Sequence, residues 1–312
     1  MRVCEARERY LRWLESRDLS PHTVRAYGGD VSALERHLGV GAVVAAISRE
    51  DLSEFIAGQR GAGLSATSLR RRGVGVRAFC RWLVWEGLLA VDPWAELSVP
   101  PVRSRTLPRV LSASEVEQLL GSLNRDARLG AHGPGDILVR PHEATTLLGV
   151  ALMLATGVRV HEVISIACAD VDLSSRIVRL MGKGRRERQV FLTNDWITNL
   201  TSAYLNTRVA LGIDHPRLLF NRGGAPLSTQ AMRSRVRRAA IAAGLRRRVT
   251  PHMLRHTAAT QLMESSVDIR FIQRLLGHAS LSTTEIYTHV SDRALLRVVS
   301  DADVLGRLLD VR

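Results

Sequence analysis

The chain has 312 residues, enough for two domains with separate cores, and its balance of 46% hydrophobic and 24% charged residues excludes a disordered or low-complexity protein. A net charge of +14 favours a polyanionic partner, either nucleic acid or an anionic surface. Cys4, Cys80 and Cys168 match neither a disulfide framework nor a zinc-ligand spacing, and the longest apolar stretch, residues 147–158, is too short to span a bilayer.

The first quarter of the chain reads as helices. Tyr10, Leu11 and Leu14 form one face of an amphipathic helix, which is not the pattern of a secretory signal, so a reducing cytoplasm is expected. A second helix opens at Ser20 and Pro21 and runs through Val24, Tyr27, Val31, Leu34 and Leu38. A third opens near Ser48 with Glu50 and Asp51 in its first turn. A fourth, from about Ser65, continues through Leu69, Val76, Phe79, Leu83 and Trp85. It carries Arg70, Arg71 and Arg72 together, either a set of phosphate contacts or a solvated helix face.

Asp92-Pro93 closes this bundle, and the aperiodic, Pro- and Arg-rich stretch that follows reads as a linker. The expected organisation is mainly α with a small β component: a helical domain over residues 1–98, a linker over 99–111, and an α+β domain over 112–312. In the second domain, Ser112 or Ser114 caps a helix to about Leu123, and a loop over 124–143 precedes the buried helix that ends near Thr156-Gly157. Ile177–Leu180 and Gln189–Leu192 flank a Gly182-Lys183-Gly184 turn as a hairpin, and helices follow to the end.

Charge is unevenly shared: residues 1–100 hold 14 Arg against 12 acidic residues, while the rest holds 30 cations against 18. Of the 44 cations, 43 are Arg and the one exception is Lys183. Lysine, unlike arginine, can release a proton near neutral pH once its surroundings lower its pKa, so a chemical role for Lys183 and a chance survivor of an arginine-rich composition are equally open readings.

Three patches carry chemistry. In ATGVRVHEV, Arg159 and Glu162 lie three apart, where a carboxylate can hold a guanidinium, although a surface pair is the plainer reading. In TPHMLRHTAAT, Thr250 and Pro251 open a helix whose first turns present His252 and Arg255 beside N–H groups that favour phosphate. His252 and His256 are also four apart, but no Glu follows the first His and no third ligand is evident, so no metal is expected. His256 reads as a buried, hydrogen-bonded helix residue. In LLGHASLSTTEIYTHV, His278 follows a helix-ending Gly and Tyr287 follows nine residues later. A lone Tyr is usually core, yet a phenol surrounded by cations is a usable nucleophile.

RxxE, a Gly-Lys-Gly hairpin, HxxRH, LGH and YTH in this order resemble the tyrosine recombinases, most of all the Xer-like branch. LSPHTVRAY and the stretch LSATSLRRR to AFCRWLVWEGLL resemble that family's SAM-like core-binding domain, so the likeness covers nearly the whole chain. It implies Arg159 and Arg255 on the scissile phosphate, Tyr287 attacking phosphorus, and Lys183 protonating the leaving oxygen. His252 would assist proton transfer, His278 would add a phosphate contact, and Glu162 would support Arg159. Arg70, Arg71, Arg72, Arg185 and Arg186 become candidate DNA contacts.

The resemblance further implies double-stranded DNA as substrate and strand exchange through a Holliday junction. A homotetramer on DNA, or pairing with a related recombinase, would carry it out, without cofactor, metal or membrane, in the nucleoid-bearing cytoplasm. A type IB topoisomerase-like enzyme and a catalytically silent DNA-binding protein are the competing readings. The loop over 124–143 is longer than usual in Xer proteins, and the apolar tail after Tyr287 is expected to dock on a neighbouring protomer.

Overall fold

A computed structural model of the protein describes residues 1–17, 19–95, 97, 110–127, 140–181, 187–277 and 292–309. The chain divides into two compact units, Met1–Arg105 and Thr106–Arg312. The expected linker over 99–111 lies outside the described residues except for its last two positions.

The first unit is a bundle of α1 (Val3–Ser16), α2 (Pro21–Leu38), α3 (Arg49–Gly61) and α4 (Ala66–Trp85). The helices open where expected, the Ser20 cap forms, and Ser48 and Ser65 also act as caps. Ser20, Ser48 and Ser65 each accept the backbone N–H three residues on, and Asp51 returns a bond to Ser48. Tyr10, Phe79 and Trp82 form an aromatic centre with centroids 5.2 to 6.0 Å apart. Trp85, expected in this apolar run, is instead 65% exposed. The buried face of α4 drifts from Leu69 through Val76 to Phe79, Trp82 and Leu83, so position 85 has rotated to solvent.

The second unit is built on α6 (Pro141–Thr156), which is buried along almost its whole length between α5 (Ala113–Ala127), α8 (Asp195–Ala210) and α10 (Pro251–Glu264). Its helix ends at Gly157, whose φ of +64° suits glycine. Short α7 (Val160–Ser165) leads into an antiparallel sheet of β1 (Val171–Asp172), β2 (Ile177–Met181) and β3 (Glu187–Phe191), in register Val178 to Val190 and Leu180 to Arg188. The hairpin is thus present, with β1 as an unexpected edge strand. Then come α9 (Thr229–Ala242), α11 (Ile269–Leu276), α12 (Asp292–Ala302) and α13 (Val304–Leu309).

Two expectations change. Helix α5 runs to Ala127 and α6 starts at Pro141, so both ends of the expected 124–143 loop are helical, and residues 128–139 lie outside the described residues. The tail packs on its own unit: Leu295, Val299, Val304, Leu305 and Leu308 are buried, with α13 against α5 and α6. A sharp break at Asp303 turns the chain back, and its carboxylate accepts from Gly306 N–H at 3.1 Å and from Asn194 Nδ2 at 3.3 Å. That turn gives the apolar face a partner within the chain, which the sequence pattern did not reveal.

Four of the five tryptophans lie in the first unit, so tryptophan fluorescence chiefly follows its unfolding. Phe79 is fully buried between Tyr10 and Trp82, and Phe79→Ala should destabilise this unit by ~3–5 kcal/mol, seen as a lower urea midpoint of the fluorescence transition.

Candidate active site

Four of the residues singled out from sequence, Arg159, Glu162, His252 and Arg255, come together in the second unit. Arg159 is the residue that opens α7, and the carboxylate of Glu162 accepts its backbone N–H at 2.7 Å and its Nη1 at 3.2 Å. Glu162 is only 1% exposed. A second guanidinium, that of Arg188 on β3, grips the same carboxylate with both terminal nitrogens, at 2.6 and 2.8 Å. Sequence reasoning missed Arg188, because nothing in the strand pattern ERQVF marks a charge that turns inward.

Three consecutive carbonyls at the end of α11 each accept from a different arginine. Leu275 O takes Nε of Arg188 at 3.2 Å, Leu276 O takes Nη2 of Arg255 at 2.8 Å, and Gly277 O takes Nη2 of Arg159 at 3.1 Å. Arg255 also donates to Gly157 O at 2.6 Å, at the end of α6. Helix ends leave such carbonyls without helical partners and carry partial negative charge, so cations settle there. Gly277 itself sits at φ +64°, and a Cβ there would press on the Arg188 guanidinium at 3.1 Å. These bonds use only part of each arginine's donor fork.

Burial would by itself raise the Glu162 carboxyl, but the Arg188 hydrogen bonds, the Arg159 N–H and the charges of both guanidinium groups bring it down to about 2. Arg255 shows the opposite strain. Burial and then the neighbouring Arg159 charge lower it to about 10, which leaves it fully charged at neutral pH but short of negative partners. Three guanidinium groups stand around one carboxylate, which bonds two of them, and the local excess of positive charge is what an anion would relieve.

That excess faces a cleft of about 460 Å³. Arg159, Arg255 and His252 line it together with Arg233 and Arg237 of α9 and Arg248, three arginines that sequence reasoning did not select. The i, i+4 spacing of Arg233 and Arg237 was the available signal. Pro251 at the start of α10 also lines the cleft, and Thr250 caps that helix by accepting Met253 N–H at 3.3 Å. The N-terminus of α10 therefore opens onto a cationic cleft, an arrangement suited to a phosphate.

Lys183, Arg185, Arg186, His278 and Tyr287 lie outside the described residues. In the first unit, Arg71 and Arg72 both turn to the buried Asp30, Arg71 with Nη1 at 2.8 Å, and Arg72 also reaches Gln59, whereas Arg70 points to solvent. On the same exposed face of α4 stand Arg77 and Arg81, which complete a stripe with Arg70 at helical spacing.

Residues 109–294 match the model of the phage integrase family, and residues 8–87 match that of its N-terminal SAM-like domain. The chain is 36% identical to the protein named tyrosine recombinase XerC of Mycobacterium leprae (strain TN) over 290 residues, 90% of this chain and 92% of that one. It is 37% identical over 285 residues to the protein of that name from Mycobacterium tuberculosis (strain ATCC 25177 / H37Ra), with the same coverage. Among solved structures, a lambda integrase (75-356) dimer bound to a COC′ core site shares the fold, with TM-score 0.69 and 19% identity over 90% of this chain and 96% of that one. A XerH recombinase bound to palindromic difH substrate, a post-cleavage complex, has TM-score 0.69 and 24% identity over 94% and 83%.

The depressed Glu162 carboxyl contributes stability that is complete above about pH 4.5 and is lost as the pH falls toward about 2. Glu162→Gln should thus cost ~3 kcal/mol at pH 7, and the gap to wild type in urea midpoints should narrow steadily below about pH 4.5. A gap independent of pH would show that the carboxylate charge is not what holds the arginines. The match of both family models, the extent of the XerC likeness and the arginine-lined cleft lead to one conclusion: the chain belongs to the phage integrase family of tyrosine recombinases.

Proposed function

We infer that this chain is a site-specific recombinase that cuts and rejoins duplex DNA through a 3′-phosphotyrosyl intermediate. The observation that carries the reading is the pair Arg159 and Arg255, fixed by backbone carbonyls at the mouth of the α10 N-terminus, in a cleft where positive charge is in excess. The scissile phosphate supplies the missing negative charge. The two guanidinium groups bind its non-bridging oxygens, and their hold strengthens as charge accumulates in the transition state.

Tyr287 is the nucleophile. Of the four tyrosines, Tyr204 is the other one in the second unit, and it is fully buried with its hydroxyl 2.5 Å from Thr145. The phenolic oxygen bonds to phosphorus as the bond to the 5′ oxygen breaks. The phenol proton passes to His252, and Lys183 protonates the departing 5′ oxygen. His278 adds a donor to the phosphate, following Gly277, whose carbonyl orients Arg159. The phosphotyrosyl ester keeps the energy of the cleaved bond, so rejoining to a second duplex needs neither nucleotide nor metal.

Double-stranded DNA is the substrate, and four protomers, alone or with a related recombinase, exchange strands through a Holliday junction in the cytoplasm. The stripe of Arg70, Arg77 and Arg81, with Arg185 and Arg186 of the second unit, supplies contacts to the DNA backbone.

Incubation with nicked duplexes should trap a covalent 3′ adduct with wild type and none with Tyr287→Phe. Lys183→Ala should block cleavage of an ordinary duplex but regain most of its rate when the leaving oxygen is replaced by sulfur, which departs without a proton. Arg255→Ala should stay inactive on both substrates. A Lys183 variant that is not rescued would remove the proton-donor role. Arg77→Ala and Arg81→Ala should each lower affinity alike for all sequences and reduce the salt slope by about 1. Affinities and slopes equal to wild type would take the α4 stripe off the DNA.

A further inference from the structure

His256 has no part in the reaction as derived above, yet its Nε2 lies 2.9 Å from Nε2 of His252, one turn earlier on α10. The ring centroids are 4.2 Å apart and the planes meet at 70°, edge to face. Two ring nitrogens this close hold a single proton between them, since two N–H groups would collide and two lone pairs would repel. No third His, Cys, Asp or Glu joins the pair among the described residues.

The surroundings limit how many protons the pair carries. Arg159, Arg233, Arg237, Arg248 and Arg255 line the cleft that His252 borders. On the helices packed against α10, the titratable side chains are Arg270 and Arg274 of α11 and Arg307 of α13, with His142 and Glu143 in the first turn of α6. The arginines are cationic, Glu143 is the one acid, and burial lowers the pKa of His142 and favours its neutral form. A second proton in the short Nε2–Nε2 contact would add a further cation to these surroundings, so the geometry favours one proton shared between the rings.

We propose that His256 is a positioning residue that accepts the Nε2–H of His252 and so leaves Nδ1 of His252 as the proton acceptor for the attacking phenol. The inference rests on the recombinase reading of this cleft. As the phenolic oxygen bonds to phosphorus, its proton moves to Nδ1 of His252. The new imidazolium keeps its Nε2–H on neutral His256, which spreads the charge without adding a cation. A lone imidazole among these guanidinium groups would be a poorer base. A carboxylate in place of His256 would strengthen the base but cancel part of the positive charge that the phosphate needs.

Two measurements test this. Protein labelled with 15N in histidine, without DNA, should show in two-bond 15N–1H spectra that His252 carries its proton at Nε2. On nicked duplexes, His256→Gln keeps an acceptor oxygen and should form covalent adduct within about threefold of the wild-type rate, whereas His256→Leu should fall by about 10- to 100-fold with DNA affinity unchanged. The acid limb of the pH profile for His256→Leu should move to lower pH, because the protonated form of His252 has lost its acceptor. A His252 protonated at Nδ1 overturns the proposal. So does a His256→Leu variant with the wild-type rate and pH midpoint, or cleavage that EDTA abolishes and zinc restores. If the recombinase reading itself fails, wild type gives no adduct, while the tautomer measurement still stands.

Discussion

The second unit is organised around the carboxyl end of α11. Its last carbonyls, at Leu275, Leu276 and Gly277, hold one guanidinium each from β3, α10 and the start of α7, segments far apart in sequence. Glu162 ties two of those guanidinium groups together from behind. Remove either anchor and the arginines, which repel one another, have no reason to converge. Backbone carbonyls suit the task because they orient a cation without neutralising it. A site made of carboxylates would hold the arginines equally well and bind phosphate poorly.

Helix polarity divides the work. The ends of α6 and α11 present carbonyls and gather cations, while the start of α10 presents N–H groups and faces the cleft where an anion belongs. Both glycines that end the gathering helices have positive φ, which lets each helix stop abruptly and turn its last carbonyl to an arginine. At Gly157 a side chain would also strike Leu276 at 2.5 Å, so the two helix ends are packed as closely as glycine allows. The low exposure of Arg255, 6%, follows from the same close packing and explains why its charge is so poorly solvated before an anion arrives.

A similar economy operates in the first unit, where adjacent arginines have different uses. Arg71 and Arg72 neutralise Asp30, which is 1% exposed and sits against Gly75, so they hold α4 to α2. Arg70, Arg77 and Arg81 share a different, solvent-facing side of α4. Sequence adjacency grouped the first three; helical geometry regroups them by face.

Much was legible in the sequence alone. The motifs singled out Arg159, Glu162, His252 and Arg255, which the fold brings together. Ser20 as a helix cap, helix starts near Ser48 and Ser65, a short strand on either side of residues 182–184 and Gly157 as a helix stop follow from local chemistry, because caps and turns depend on neighbours in the chain. Arg188, the carbonyls of α11, the cis packing of the tail through Asp303 and the approach of His256 to His252 did not follow from it. Each depends on which groups meet across space, or on the direction a side chain takes along its helix, and only the packed tertiary structure decides that. The sequence by itself determined the chemistry available to this protein; the tertiary structure decided that three mutually repelling guanidinium groups would be held together at one helix end.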